Sequence, residues 1–279
     1  MKKVTDKNLK FNLYLLHGFT GSGFDFSLLK ESIQSHFEDG SVELSWFCPS
    51  LPGHGDSLDI DCSVQGHYDF INQFIELNNS QTKTCDTKLC KNTLIAYSMG
   101  SRLGLYHAIQ QTEFWDAIVL IGANPGIQSE SERVLRKESD KKLSEKIEVN
   151  GLSWFLDYWK SLPLIRTQSN ASNDFLQARE KRKNTLNVKG LQNSLLHFGQ
   201  GVFPNLWDLV PSIQSPLLLI NGNLDPKYCE ISQQFSKIHS GAQCEIIENC
   251  GHAPHIENPQ ETAKAITAFL KSICFDYLY

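Results

Sequence analysis

Six short apolar runs, each ending at glycine or another turn residue, constrain this 279-residue chain more than any other feature. They are FNLYLL before His17-Gly18, VELSWFCPSL before Pro52-Gly53, TLIAY before Ser98, AIVLIGA before Asn124-Pro125, PLLLING before Asn223, and QCEII before Glu248. Runs of this length, bounded by turns, suit strands buried on both faces of a parallel sheet. The stretches between them, such as FDFSLLKESIQSHF and SRLGLYHAIQQT, place apolar residues at helical spacing. Strand and helix in alternation predict an α/β fold with a doubly wound, mostly parallel sheet.

From Asn124 to Pro216 the alternation stops. SESERVLRKESDKKLSEKIEV, GLSWFLDYWKSL and FLQAREKRKNTL are rich in charge and helix formers and carry no strand pattern. One domain spanning 1–279 is therefore expected, with a helical insertion over roughly 125–210. Apolar residues make up 41% and charged residues 20% of the chain, the balance of a folded globular protein. The net charge of -5 gives no general attraction to nucleic acid or anionic lipid. An anionic ligand would need a local basic cluster. The N-terminus does not read as a signal peptide and no run is long enough to span a bilayer, so a cytoplasmic protein is expected. The eight cysteines are scattered, with Cys85 and Cys90 nearest each other and no CxxC pair, so reduced thiols are expected. No metal site or organic cofactor is indicated.

The strongest chemical signal is Ala96-Tyr97-Ser98-Met99-Gly100, directly after a strand and before a helix. A nucleophile elbow needs small residues two before and two after its serine because the turn is tight. Asp225 and His252 each follow a later strand, and the order Ser, Asp, His is that of the α/β hydrolases. A serine hydroxyl is unreactive at neutral pH until an imidazole accepts its proton and a carboxylate orients that imidazole. His17-Gly18-Phe19 ends the first strand, so the backbone N–H groups of Phe19 and Met99 are the candidate oxyanion hole. His54, in a glycine-bounded loop, reads as a structural hydrogen-bonder, and His255 as a neighbour of the site.

LHGFTGS, LPGHGDS, AYSMGSRLGLY, ANPGIQSESER, DYWKSLPLI, LQNSL and NLWDLV recur in order along nearly the whole chain. Together they resemble the 2-succinyl-6-hydroxy-2,4-cyclohexadiene-1-carboxylate synthases of menaquinone or phylloquinone biosynthesis, a branch of the α/β-hydrolase superfamily. Ala96 replaces the family's usual glycine, and Ser101 stands where a second glycine often follows. The strand-rich N-terminal extension of many α/β hydrolases has no room here.

The resemblance implies a lyase that eliminates pyruvate from a small substrate bearing several carboxylates, acting as a monomer or weak homo-oligomer. It implies arginines in the pocket: Arg102, one helical turn after Ser98, then Arg133 and Arg182. Arg136 is expected on a solvated helix face. Tyr97, Gln128, Tyr158 and Trp159 match family pocket positions. The residues alone leave open an ordinary serine hydrolase using the same three side chains, and a non-catalytic binding protein of this fold.

Overall fold

A computed structural model describes residues 9–38, 40, 42–81, 90–184 and 186–278. Residues 1–8 and Cys85 lie outside that set. The six apolar runs form β1 (Leu9–Leu16), β2 (Val42–Phe47), β3 (Cys90–Tyr97), β4 (Ala117–Ile121), β5 (Leu217–Gly222) and β6 (Ala242–Ile247). All pair in parallel in the order β2-β1-β3-β4-β5-β6. The order reverses at β1, between β2 and β3, which is where such sheets open a crevice beyond the strand C-termini.

The central strands are buried at nearly every position because both faces are covered. Leu13, Leu15, Ile95, Val119 and Ile220 point to one side, where they meet α1 (Ser27–Ser35) and α10 (Pro259–Leu278) through Leu29, Ile266 and Phe269. Tyr14, Leu16, Leu94, Leu120 and Leu219 point to the other. There they pack on α2 (Val64–Gln81), α3 (Met99–Gln110) and α8 (Pro226–Ile238) through Ile71, Leu103 and Phe235. The two-residue strand period thus feeds two cores. The edge strands depart from the sequence expectation. β2 is half-buried, and Gln243, Cys244, Glu245 and Ile246 of β6 are exposed, because an edge strand has a neighbour on one side only.

Between β4 and β5 the chain forms α4 (Glu130–Ser161), α5 (Pro163–Arg166), α6 (Asn173–Lys183) and α7 (Val188–Phe198). Gly151, at φ 79°, breaks α4. This helical layer has its own small core of Ile147, Phe155, Leu156, Leu191 and Leu195, with Phe19 and Trp159 packed against it. Among the described residues no helix is long and apolar enough to cross a membrane. Cys48, Cys62, Cys229, Cys244 and Cys250 are free thiols. Cys90 is disulfide-bonded, which corrects the expectation that scattered cysteines all stay reduced.

Three buried histidines are held neutral by the bonds they must accept. Leu51 N donates to His17 Nε2, Thr20 N to His54 Nε2, and Trp115 Nε1 to His107 Nδ1. The other ring nitrogens then donate, to Gly18 O, Pro52 O and Asn72 Oδ1. His54 is therefore the structural hydrogen-bonder anticipated. Burial pushes their pKa values from 6.5 down to about 4, about 3 and about 4 respectively. The unfolded chain binds more protons below pH 6.5, so stability rises with pH there. Urea unfolding should show stability full above that pH and falling toward pH 4, each histidine contributing up to about 1.4 kcal/mol per pH unit. A flat profile over this window would contradict the neutral assignment.

Candidate active site

β3 delivers its chain into α3 through Ser98, whose backbone has φ 51° and ψ -105°, a conformation L-residues rarely adopt. Ser98 N donates to Ile121 O at 2.9 Å, tying the turn to the end of β4. The side chain of Ser101 is buried, its Oγ 2.7 Å from Ala96 O and 2.9 Å from Ile121 O, so it clasps both strands from inside the helix. A Cβ on Gly100 would sit 2.2 Å from Leu16 O, so no other residue fits. Ala96 is accommodated because Gly104 faces it: a Cβ there would lie 3.3 Å from the Ala96 Cβ.

His252 and Asp225 converge on this turn. His252 Nε2 lies 3.0 Å from Ser98 Oγ, and Nδ1 lies 2.8 Å from Asp225 Oδ2. The carboxylate can only accept, so Nδ1 carries the proton and Nε2 is free to accept from the serine hydroxyl. Gly122, at φ +59°, makes room for the imidazole: a Cβ there would lie 2.7 Å from His252 Cε1. The loop holding His252 is anchored by Glu257, which accepts from Gly251 N at 2.7 Å, Ala253 N at 3.1 Å and Thr167 Oγ1 at 3.1 Å. His255 is fully buried against Tyr97 and Phe26, ring centroids 4.4 and 5.1 Å away. Met99 N is the first amide of α3 and has no acceptor within its own helix.

A cavity of about 490 Å³ opens over Ser98. Of the residues expected at the site, Phe19, Tyr97, Ser98, Met99, Arg102, Trp159, Asp225 and His252 line it. Arg102 is buried; one guanidinium nitrogen donates to Phe198 O at 3.0 Å, while Nε has no partner. Its charge lies 5.6 Å from each of the Phe198 and Phe203 rings. Burial lowers its pKa from 12.5 to about 10.

Four expected residues are not brought to the cavity. Gln128 is drawn toward the 3₁₀ turn Trp207–Ser212, because Leu206 N donates to Pro125 O and Trp207 Nε1 to Gly126 O. Arg133 is paired with Glu130 in the first turn of α4, at 2.6 Å. Tyr158 is exposed and stacks on Trp154; one residue on, about 100° around the helix, Trp159 turns inward against Phe19. Arg182 lies over the Phe24 ring at 4.3 Å, on the outer side of α6.

The structure adds residues that sequence reasoning missed. Arg136, expected in solvent, lines the cavity, its Nε held by Asp140 at 2.8 Å and another nitrogen by Gln200 Oε1 at 2.8 Å. The Arg136–Asp140 spacing is an i,i+4 ion pair, a signal that was visible in the sequence. Gln200, Lys227 and Tyr228 also line the wall, and no local pattern marks them. Arg102, Arg136 and Lys227 thus line the same cavity as Ser98, together with apolar residues such as Phe19, Leu195 and Phe198.

The model of the alpha/beta hydrolase family matches residues 13–265. A Bacillus subtilis (strain 168) protein provisionally named 2-succinyl-6-hydroxy-2,4-cyclohexadiene-1-carboxylate synthase is 34% identical over 92% of this chain and 89% of its own. The chain belongs to that synthase family within the α/β hydrolases. A synthase of the same name from Enterobacter sp. (strain 638) is 26% identical over 93% of this chain and 91% of its own. The structure of MenH from S. aureus superposes with TM-score 0.79 at 24% identity, covering 97% of this chain and 96% of that one, which shows the shared fold. The resemblance read from the sequence motifs and the parallel-sheet architecture both stand.

Removing the Glu257 carboxylate strands two backbone donors flanking His252. Glu257→Ala should lose on the order of 1.5–3 kcal/mol of stability in urea titration, with Glu257→Gln losing less. Equal midpoints for the parent and both variants would show that Glu257 does not anchor the loop.

Proposed function

We propose that this synthase-family chain is a lyase that eliminates pyruvate from 2-succinyl-5-enolpyruvyl-6-hydroxy-3-cyclohexene-1-carboxylate, giving 2-succinyl-6-hydroxy-2,4-cyclohexadiene-1-carboxylate in menaquinone biosynthesis. The observation that carries this reading is Arg102. It is a buried guanidinium with an unpartnered Nε in the wall of the cavity that holds Ser98. A buried, unneutralised cation is costly, and a substrate carboxylate would remove that cost. Arg136 and Lys227 extend the same basic wall.

In this reading Ser98, His252 and Asp225 are the catalytic residues. Ser98 passes its hydroxyl proton to His252 Nε2, and its oxygen takes the proton from the ring carbon that bears the succinyl group, alpha to the succinyl carbonyl. The electron pair moves into the conjugated succinyl carbonyl, whose developing charge meets the amides of Phe19 and Met99. Collapse of that charge breaks the ring carbon–oxygen bond, and the released enolate takes the proton held by His252, becoming pyruvate and restoring the neutral imidazole. Asp225 stabilises the imidazolium formed meanwhile. Ser98 acts as a base rather than a nucleophile, and no acyl-enzyme forms. The helical layer over roughly 125–210 is the lid, with Arg136, Trp159 and Ile165 among its residues that line the cavity and Phe19 packed against Trp159.

Incubation with the enolpyruvyl precursor should release pyruvate stoichiometrically. Ser98→Ala should lower kcat by about 10²–10⁴-fold. Failure to release pyruvate, joined to rapid ester cleavage through a serine acyl adduct, would instead establish a serine hydrolase. Arg102→Ala should raise KM and cost about 1.5–3 kcal/mol in kcat/KM. An unchanged kcat/KM would take Arg102 out of the site.

A further inference from the structure

A second cavity of about 260 Å³, sharing Ile165 with the first, is walled by the end of α4, by α5 and by α6. Its lining includes four cationic side chains, Lys160, Arg166, Arg179 and Lys183, against one acid, Glu180. The nearby carboxylates are already engaged. Glu180 pairs with Lys160 at 2.5 Å, and Asp25 with Arg179 at 2.8 Å. Lys183 is buried, at 6% exposure, and among the described residues no carboxylate lies within ion-pair distance of its amine. Burial, reinforced by the positive charge of Arg179, pushes its pKa from 10.5 down to about 7, with Asp25 and Glu180 pulling the other way.

The helix explains why these groups meet. Arg179 and Lys183 stand four residues apart and share the inner face of α6, whereas Arg182 falls on the outer face. Ile165 and Leu176 give the cavity an apolar wall. Ile165 also lines the first cavity. Arg179 donates to Gln168 Oε1 at 2.7 Å, and Gln168 Nε2 donates to the Tyr97 hydroxyl at 3.2 Å, so the wall of the second cavity runs to the residue before Ser98.

We propose that this second cavity, with Lys183 and Arg166 as its uncommitted cations, binds a small organic carboxylate at a site separate from the one over Ser98. The charge imbalance calls for an anion, and the Ile165–Leu176 wall selects one with a short carbon chain over a bare inorganic ion. A bound carboxylate would restore the ammonium form of Lys183, so binding above neutral pH takes up a proton.

Isothermal titration calorimetry with succinate on the full chain tests this without relying on turnover. Lys183→Met, close to the parent in volume, should weaken succinate binding about tenfold, a change of about 1.4 kcal/mol. Arg166→Ala, at an exposed position whose loss leaves the core intact, should weaken it similarly, and Arg102→Ala, which alters only the cavity over Ser98, should leave the Lys183-dependent binding in place. At about pH 8 the parent's binding heat should vary with the ionisation enthalpy of the buffer, and that of Lys183→Met should not. The proposal is overturned if succinate does not bind saturably, if Lys183→Met and Arg166→Ala both bind as the parent does, or if inorganic phosphate binds as tightly as succinate.

Discussion

Ser98 occupies a strained backbone conformation, and the architecture around it is arranged to hold it there. A non-glycine residue at φ 51° and ψ -105° costs about 1–3 kcal/mol. That cost is met by ties to two strands: the Ser98 amide to Ile121 O, and the Ser101 hydroxyl between Ala96 O and Ile121 O. The consequence is geometric. The serine oxygen lies 3.0 Å from His252 Nε2, and Met99, the first residue of α3, lines the same cavity. The neighbouring β4 and β5 then decide where the partners stand, Gly122 leaving room for the imidazole and Asp225 capping α8.

The sheet and its flanking helices keep their buried histidines neutral through the hydrogen bonds they accept. Cations are buried as well: Arg102 on α3, and Arg179 and Lys183 on α6, all lose most of their contact with water, and of these three only Arg179 is matched by a carboxylate. Buried cations beside cavities are costly until an anion meets them, and that cost underlies both binding proposals despite the net charge of -5. The family membership and the basic wall over Ser98 point the same way, from independent evidence.

Much of this was legible in the chain itself. Short continuous apolar runs ending in glycine or turn residues marked the six parallel strands, and the order Ser98, Asp225, His252 at strand ends marked the site. Within the insertion the sequence was a weaker guide. Tyr158 and Trp159 are adjacent aromatics, and only packing against Phe19 turns the second inward. Arg133 and Arg136 sit three residues apart on one helix. The first closes on Glu130, while Asp140 and Gln200 aim the second at the cavity. Cys90 carries a disulfide that its spacing did not require.

The sequence by itself determined the sheet, the helical insertion, the strand-end positions of Ser98, Asp225 and His252 that fold into hydrogen-bonding distance, and the family. These follow from local periodicity and from turns whose steric demands only a few residues meet. Tertiary structure alone decided which cations face a cavity and which face water, because that depends on how α4, α6 and α7 pack over the sheet. It also decided that Glu257 would anchor the His252 loop and that Lys183, next to the expected Arg182, would be the buried charge. One residue of helical rotation separates an exposed cation from a buried one, and long-range packing fixes that rotation.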